Sequence, residues 1–359
     1  MKPNRLFLCW MLVAGMAVFS GCEGDANNKN SEDSSAKKNS DNREDVSDLV
    51  GKIEVDGSST VFPMTTLAAD GFKQTYPDVE VKVGESGTGG GFVRFSAGET
   101  QISDASRPIK QKEFAECQSN GVEFIELPVA YDGLTFVVHK ENDWAKELTV
   151  DHLKAIFQED GTATKWSDLN GDWPAEDIVI FAPGTASGTF DYAKEVLAKD
   201  GDMRSNMTTS ENDNVIVSGV AGDKNAIGFF GASYYFENQD KLNSVAIVNP
   251  ASGAAVSPTS ETIESGEYAP FSRPLFIYVN KEAANRPEVQ AFVKYYLNEA
   301  GRVAQERSYV GLPEEIYTRA RANFLNKAAG THFLNAEGEH RKGSLEDVFV
   351  SENLVNAAQ

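Results

Sequence analysis

Lys52-Ile53-Glu54-Val55-Asp56-Gly57-Ser58-Ser59-Thr60-Val61-Phe62-Pro63 carries the first decision about the fold. Its first four residues alternate polar and apolar, as a strand with one covered face does. A Ser/Thr-rich turn follows, and residues 63–76 have helical spacing. Residues 79–83 alternate again, and a glycine-rich turn at 87–91 precedes a second helical stretch. Strand, turn and helix recurring in this order predict an α/β chain built on a parallel sheet.

Two apolar stretches interrupt the pattern: 127–139, containing Leu134-Thr135-Phe136-Val137-Val138, and 274–280, containing Leu275-Phe276-Ile277-Tyr278-Val279. Between them lies a second α/β set, with a helix near 150–157, a strand at 178–181, a helix after Ser187 and a strand near 226–230. The reading is a first lobe, 51–132 plus 273–325, interrupted by a second, 133–272, with the two apolar stretches as hinge crossovers. A length of 359 residues also favours two cores over one. Residues 326–359 fit neither set and are expected to form a helical C-terminal extension packed on the first lobe.

The start of the chain reads as an export signal. Lys2 and Arg5 precede an apolar stretch at 6–19, and Ser20-Gly21-Cys22 ends it in the manner of a bacterial lipobox. That stretch falls short of the roughly 20 residues a membrane span needs. Residues 1–21 are therefore expected to be a lipoprotein signal peptide, Cys22 the lipidated residue, and 22–50, almost devoid of apolar side chains, a disordered tether. Cleavage before Cys22 removes Cys9 and leaves Cys117 as the one thiol, so no internal disulfide is expected.

A net charge of −21 argues against nucleic acid as a partner, which rewards clustered Lys and Arg. It does not argue against a small anion, because aimed hydrogen bonds outweigh a distant field screened over roughly 8 Å. Three Ser/Thr/Gly clusters sit between a strand and a helix: Gly57-Ser58-Ser59-Thr60, Gly87-Thr88-Gly89-Gly90-Gly91 and Ser187-Gly188-Thr189. A helix start exposes unpaired N–H groups, hydroxyls add donors, and glycine permits close approach. Each cluster alone fits an ordinary helix cap. Three after successive strands point to one crevice, since strand ends of open α/β sheets share it. Ser106-Arg107-Pro108 adds the one cation placed there, a guanidinium able to fork onto an oxyanion.

Enzymatic chemistry finds no such constellation. The four histidines lack metal-ligand spacing, Gly184-Thr185-Ala186-Ser187-Gly188 is not a nucleophile elbow, and the glycine-rich turn lacks the Lys-Ser/Thr ending of a P-loop. No metal and no cofactor are expected.

At these clusters the sequence resembles the periplasmic phosphate-binding proteins of phosphate-specific ABC importers. The matching segments are 56–63, 86–92, 102–109 and 183–192, within a likeness that covers roughly 52–317. The resemblance implies a two-lobed, type II periplasmic-binding-protein fold and phosphate contacts from Ser59, Thr60, Thr88, Ser106, Arg107, Ser187, Gly188 and Thr189. It also implies an ABC permease as partner, a place in the periplasm or at the cell surface, attachment to a membrane through Cys22, and a monomer. Two features depart from the better-known branch. Ser106-Arg107 stands where that branch carries an aspartate that accepts the proton of hydrogen phosphate, and Pro183 stands where an arginine precedes the Ser-Gly-Thr turn. Asp56, Asp104, Asp191 and Asp213 are the candidates for the missing acceptor, with Asp56 preferred. The alternatives are a carrier for another oxyanion (sulfate, arsenate, molybdate), a secreted phosphatase, and an adhesion protein that kept the lobes.

Overall fold

A computed structural model of the protein describes residues 49–356 except Ala186, Asp200 and Glu211. The signal peptide, Cys22 and nearly all of the tether lie outside the described residues. The elements run β1 (Gly51–Gly57), α1 (Phe62–Thr75), β2 (Val79–Val83), α2 (Gly87–Ser96), β3 (Ile102–Ala105), α3 (Gln111–Ser119), β4 (Phe124–His139), β5 (Glu147–Thr149) and α4 (Val150–Phe157). They continue through β6 (Val179–Pro183), α5 (Gly188–Leu197), β7 (Thr208–Ser210), α6 (Asp213–Gly222), β8 (Ala226–Gly231), α7 (Ala232–Glu237), β9 (Leu242–Ser244), β10 (Ala246–Val248) and β11 (Ala255–Val256). The last are α8 (Ser260–Glu264), β12 (Ser272–Asn280), α9 (Pro287–Glu306), α10 (Glu314–Leu325) and α11 (Leu345–Val348).

The main sheet is open, in the order β2-β1-β3-β12-β4-β8-β6-β7, with β9 also paired to β4; β11-β10-β5 form a small second sheet. The chain is thus mixed α/β, and the sheet is mixed as well, where a parallel one was expected. β1 pairs in parallel with β2 and β3, and β6 in parallel with β7 and β8. β12 runs antiparallel to β3 and β4, and β4 antiparallel to β8. β4 is one continuous strand: residues 124–133 pair with β12 and residues 134–138 with β8. All but its last residue are buried, which is why it reads as an apolar run and not as an alternation.

Helices cover the sheet with apolar stripes. On α9 the residues Val289, Phe292, Val293, Tyr296, Leu297, Ala300, Val303 and Ala304 recur at helical spacing and are buried. Pro at the first helical position starts this helix without sacrificing a hydrogen bond. Cys117 is free and buried, and burial pushes its thiol up to about 12. Two further expectations change. The glycine-rich run at 87–91 is itself the first turn of α2. Among its described residues the C-terminal extension is mostly irregular, with a short α-helix, α11, and a 3-10 turn at Ser351–Asn353, and it adds bridges beside Ile125 and between Thr331 and Val355. Its glycines and asparagines close turns that a continued helix could not.

The strand register decides what gathers at one sheet end. β1 and β3 finish side by side, Gly57 opposite Asp104, so residues 58–60 and 106–107 emerge together. Because β12 is antiparallel to β3, with Phe276 opposite Ala105, its beginning lies at that same end. Gly57 takes φ +149, and a Cβ there would stand 2.1 Å from the Asp104 carbonyl oxygen, so the close approach requires glycine.

Asp104 is fully buried, and neither carboxylate oxygen has a hydrogen-bond partner. Burial pushes its carboxyl up to about 8; the Thr65 hydroxyl, engaged with Tyr296 at 3.0 Å and outside hydrogen-bonding geometry to Asp104, offsets only part of this. The folded chain therefore keeps a proton that the unfolded chain releases near the ordinary value of 3.8. This contribution to stability is complete below that value and is lost as pH rises towards about 8. Urea denaturation across this window is expected to show a fall in stability with pH that is smaller in Asp104→Asn; identical slopes in both proteins would refute the assignment.

Candidate functional site

A cavity of about 230 Å³ opens at this sheet end, lined by Ser58, Ser59, Thr60, Thr88, Gly89, Ser106, Arg107, Asp191, Tyr192, Glu195 and Arg273. Its contributors come from the turn after β1, the first turn of α2, the turn after β3, the start of β12, and α5. Nearly every lining group is a hydroxyl, a guanidinium or a carboxylate.

The first loop is shaped by Ser58, whose Oγ accepts from the N–H groups of Thr60 (3.2 Å) and Val61 (3.4 Å). Thr60 is held from several sides. Its Oγ1 donates to the Gly188 carbonyl (3.4 Å) and accepts from Arg273 (3.1 Å), and the Tyr309 hydroxyl donates to its carbonyl (2.7 Å). Thr88 and Ser106 face each other: Ser106 N–H donates to Thr88 Oγ1 (3.2 Å), and the two hydroxyls lie 3.1 Å apart.

Each cavity arginine is oriented by carboxylates. Arg107 makes a bidentate pair with Glu113, at 2.9 and 2.7 Å, and a bond of 3.2 Å to the Pro108 carbonyl. Arg273 donates to Asp132 (3.2 Å), Glu195 (2.9 Å) and Thr60, and stacks 3.5 Å over the Tyr192 ring. Three of the five N–H groups of each guanidinium are engaged, leaving two to offer a ligand. Burial pushes the Asp132 carboxyl up, and the Arg273 charge pulls it back only in part. Glu113, Asp132, Glu195 and Asp191 outnumber the two guanidiniums, so an anion here would be held by directed N–H and O–H groups and not by net charge.

Of the residues expected to bind, Ser59, Thr60, Thr88, Ser106 and Arg107 come together here. Ser187, Gly188 and Thr189 are not among the lining residues. Ser187 Oγ caps α5 by accepting from Thr189 N–H at 3.2 Å, and Gly188 packs so closely that a Cβ would lie 2.7 Å from Thr60 Cα. α5 instead enters the cavity one turn later, through Asp191, Tyr192 and Glu195.

Asp56, the preferred proton acceptor, points away from the cavity. Its Oδ1 accepts from Gly57 N–H (2.8 Å) and Ser86 N–H (2.9 Å), and its Oδ2 pairs with Arg94 at 2.5 Å. Burial alone would raise this carboxyl, but the Ser86 and Arg94 bonds hold it below the usual range. Asp104 lies beneath the site and Asp213 at the start of α6; Asp191 alone of the four candidates lines the cavity, accepting from Ser59 Oγ at 2.9 Å.

Arg273 was missed in the sequence, where Arg107 was the one cation placed in the crevice. Its signal was faint: like Arg107 it precedes a proline, but so does Arg286, which binds Glu288 and the Lys52 carbonyl elsewhere. Among the described residues no group of His, Cys, Asp and Glu could hold a metal ion. No His or Cys among the described residues lines the cavity.

A cavity at the carboxyl ends of strands, lined by hydroxyl and guanidinium donors, has the chemistry of a small-anion site. The chain belongs to the PBP superfamily, whose domain profile matches residues 38–300. It is 42% identical over 304 residues to Protein SphX of Synechococcus elongatus, covering 84% of this chain and 89% of that protein. It is 39% identical over 272 residues to the Phosphate-binding protein PstS of Staphylococcus aureus, covering 76% and 81%. The crystal structure of a possible phosphate binding protein from Planctomyces limnophilus superposes with a TM-score of 0.75 at 44% identity, over 77% of this chain and 99% of that one.

Because Asp132 is wholly buried and bonded to Arg273, removing the guanidinium leaves a buried carboxyl group without its partner. Arg273→Ala is expected to cost roughly 3 kcal/mol of stability. Arg273→Ala/Asp132→Ala should recover part of the loss. Denaturant titrations of both proteins check this, and an unchanged midpoint in the single variant would remove the pair from its structural role.

Proposed function

We propose that this protein carries inorganic phosphate outside the cytoplasmic membrane and delivers it to an ABC-type importer, acting as a carrier and not as an enzyme. The observation that carries the proposal is the cavity itself, where the side chains of Ser59, Thr60, Thr88, Ser106, Arg107 and Arg273 come together as a set of hydrogen-bond donors. The likeness to the phosphate-binding protein PstS and to the possible phosphate binding protein from Planctomyces limnophilus supports phosphate as the anion.

In this reading the segments 51–132 plus 273–325 and 133–272 are two lobes that close on the anion about β4 and β12. The bonds from Ser59 to Asp191 and from Thr60 to Gly188 are the contacts such closure makes. Ser187, Gly188 and Thr189 then brace the Thr60 loop from across the cleft, and α5 borders the cavity through Asp191, Tyr192 and Glu195. Residues 326–359 are an extension of the first lobe, 22–50 a tether, and Cys22 carries the lipid that keeps the monomeric carrier at the membrane beside its permease, in the periplasm or at the cell surface.

Discrimination falls to Ser59 and Asp191. A hydroxyl that gives its proton to a carboxylate turns lone pairs to the cavity, so it accepts a bond from hydrogen phosphate, which sulfate at neutral pH cannot offer.

Calorimetry with phosphate, arsenate, sulfate and molybdate tests the reading. Phosphate is expected to bind, and Arg107→Ala to weaken it roughly 10- to 100-fold, the size of one or two charge-assisted bonds. Tight sulfate or molybdate binding without phosphate binding would overturn the substrate. In Asp191→Asn the preference for phosphate over sulfate should narrow by about tenfold; an unchanged ratio would remove Asp191 from the selection.

A further inference from the structure

The C-terminal segment beyond α10 buries Thr331, His332, Phe333 and Leu334, an unusual investment for a tail. Its polar groups converge on Glu126 of β4, a carboxylate with no exposed side-chain surface. Glu126 Oε1 accepts from His332 N–H (2.8 Å) and stands 3.2 Å from His332 Nδ1. Oε2 accepts from the hydroxyls of Thr331 (2.8 Å) and Tyr278 (2.9 Å). Asn323 Nδ2 lies 3.4 Å from His332 Nε2, so both ring nitrogens of His332 have a polar neighbour.

Three routes lead from this cluster to Arg107. Having given its proton to Glu126, the Tyr278 hydroxyl accepts from the N–H of Ile109, two residues beyond Arg107, at 2.9 Å. The Tyr278 ring also meets Phe92 edge-on, with centroids 4.9 Å apart, and Phe92 lies 5.8 Å beneath the Arg107 guanidinium. Finally, the tail turn at Gly338 packs against Gln111 at the start of α3, the helix whose Glu113 clamps Arg107; a Cβ on Gly338 would meet the Gln111 side chain at 2.4 Å. His340, exposed though it is, reports the same proximity: partial desolvation, and then the Arg107 charge, hold its imidazole below the ordinary range.

We propose that the C-terminal segment is a strap that sets the position of the anion-binding Arg107 through His332, Glu126 and Tyr278, none of which touches the cavity. Tyr278 and His332 are positioning residues. The inference rests on the phosphate-carrier reading.

The test is phosphate calorimetry on the full mature chain with Tyr278→Phe, which keeps the ring and removes the hydroxyl, in the parent and in an Arg107→Lys background. Tyr278→Phe is expected to weaken binding roughly tenfold in the parent, the effect of one lost hydrogen bond, and hardly at all once Arg107 is lysine. His332→Asn, which retains a side-chain N–H for Glu126, should bind like the parent, whereas His332→Leu should match Tyr278→Phe. Parent-like binding by Tyr278→Phe, or an equal loss in both backgrounds, would overturn the strap. A parent that binds neither phosphate nor arsenate would overturn the carrier reading first, and the strap with it.

Discussion

The antiparallel ladder between β12 and β4, from Ser272 opposite Gly133 to Asn280 opposite Phe124, is the constraint on which the site depends. It seats β12 between β3 and β4, so that a strand arriving from late in the chain begins where two early strands end. Arg273 is thereby delivered beside Thr60, far away in sequence. The same ladder holds Asp132 next to Arg273, Asp132 being the partner of Arg273 in the register itself. Backbone pairing and ion pairing reinforce one another there, and the guanidinium is fixed before any ligand arrives.

Preorganisation of this kind explains how a chain of charge −21 can present an anion cavity. Glu113, Asp132 and Glu195 cancel long-range attraction but tie down each guanidinium at the cavity wall. The ordering cost is met within the fold, and binding draws on short bonds that salt screens little. The orphaned carboxyl of Asp104 beneath the loop fits the same economy, since burial favours its neutral form and so adds no negative charge beneath the donors.

Much of this was legible in the sequence, and the part that was not has physical causes. Ser59, Thr60, Thr88, Ser106 and Arg107 could be found because each follows a strand whose end must face the crevice. The sheet's mixed direction could not, because an apolar run such as 275–279 carries no mark of the direction in which it pairs. Asp56 looked available because its partner Arg94 is 38 residues away on another element. The Ser187 cluster was correctly a helix start, yet its first turn lies against Thr60, and the i, i+4 pair Asp191 and Glu195 takes the cavity face. The tail was misread because its burial comes from turns and side-chain bonds to Glu126, which leave no periodic pattern.

Cys117 carries one last consequence. As the sole cysteine among the described residues, with a thiol sealed in the core and far from ionising, it has nothing to crosslink with and little tendency to react. Among the described residues, no disulfide is therefore available for a reductant to cleave. The fold of those residues rests on packing, hydrogen bonds and ion pairs such as Arg273 with Asp132.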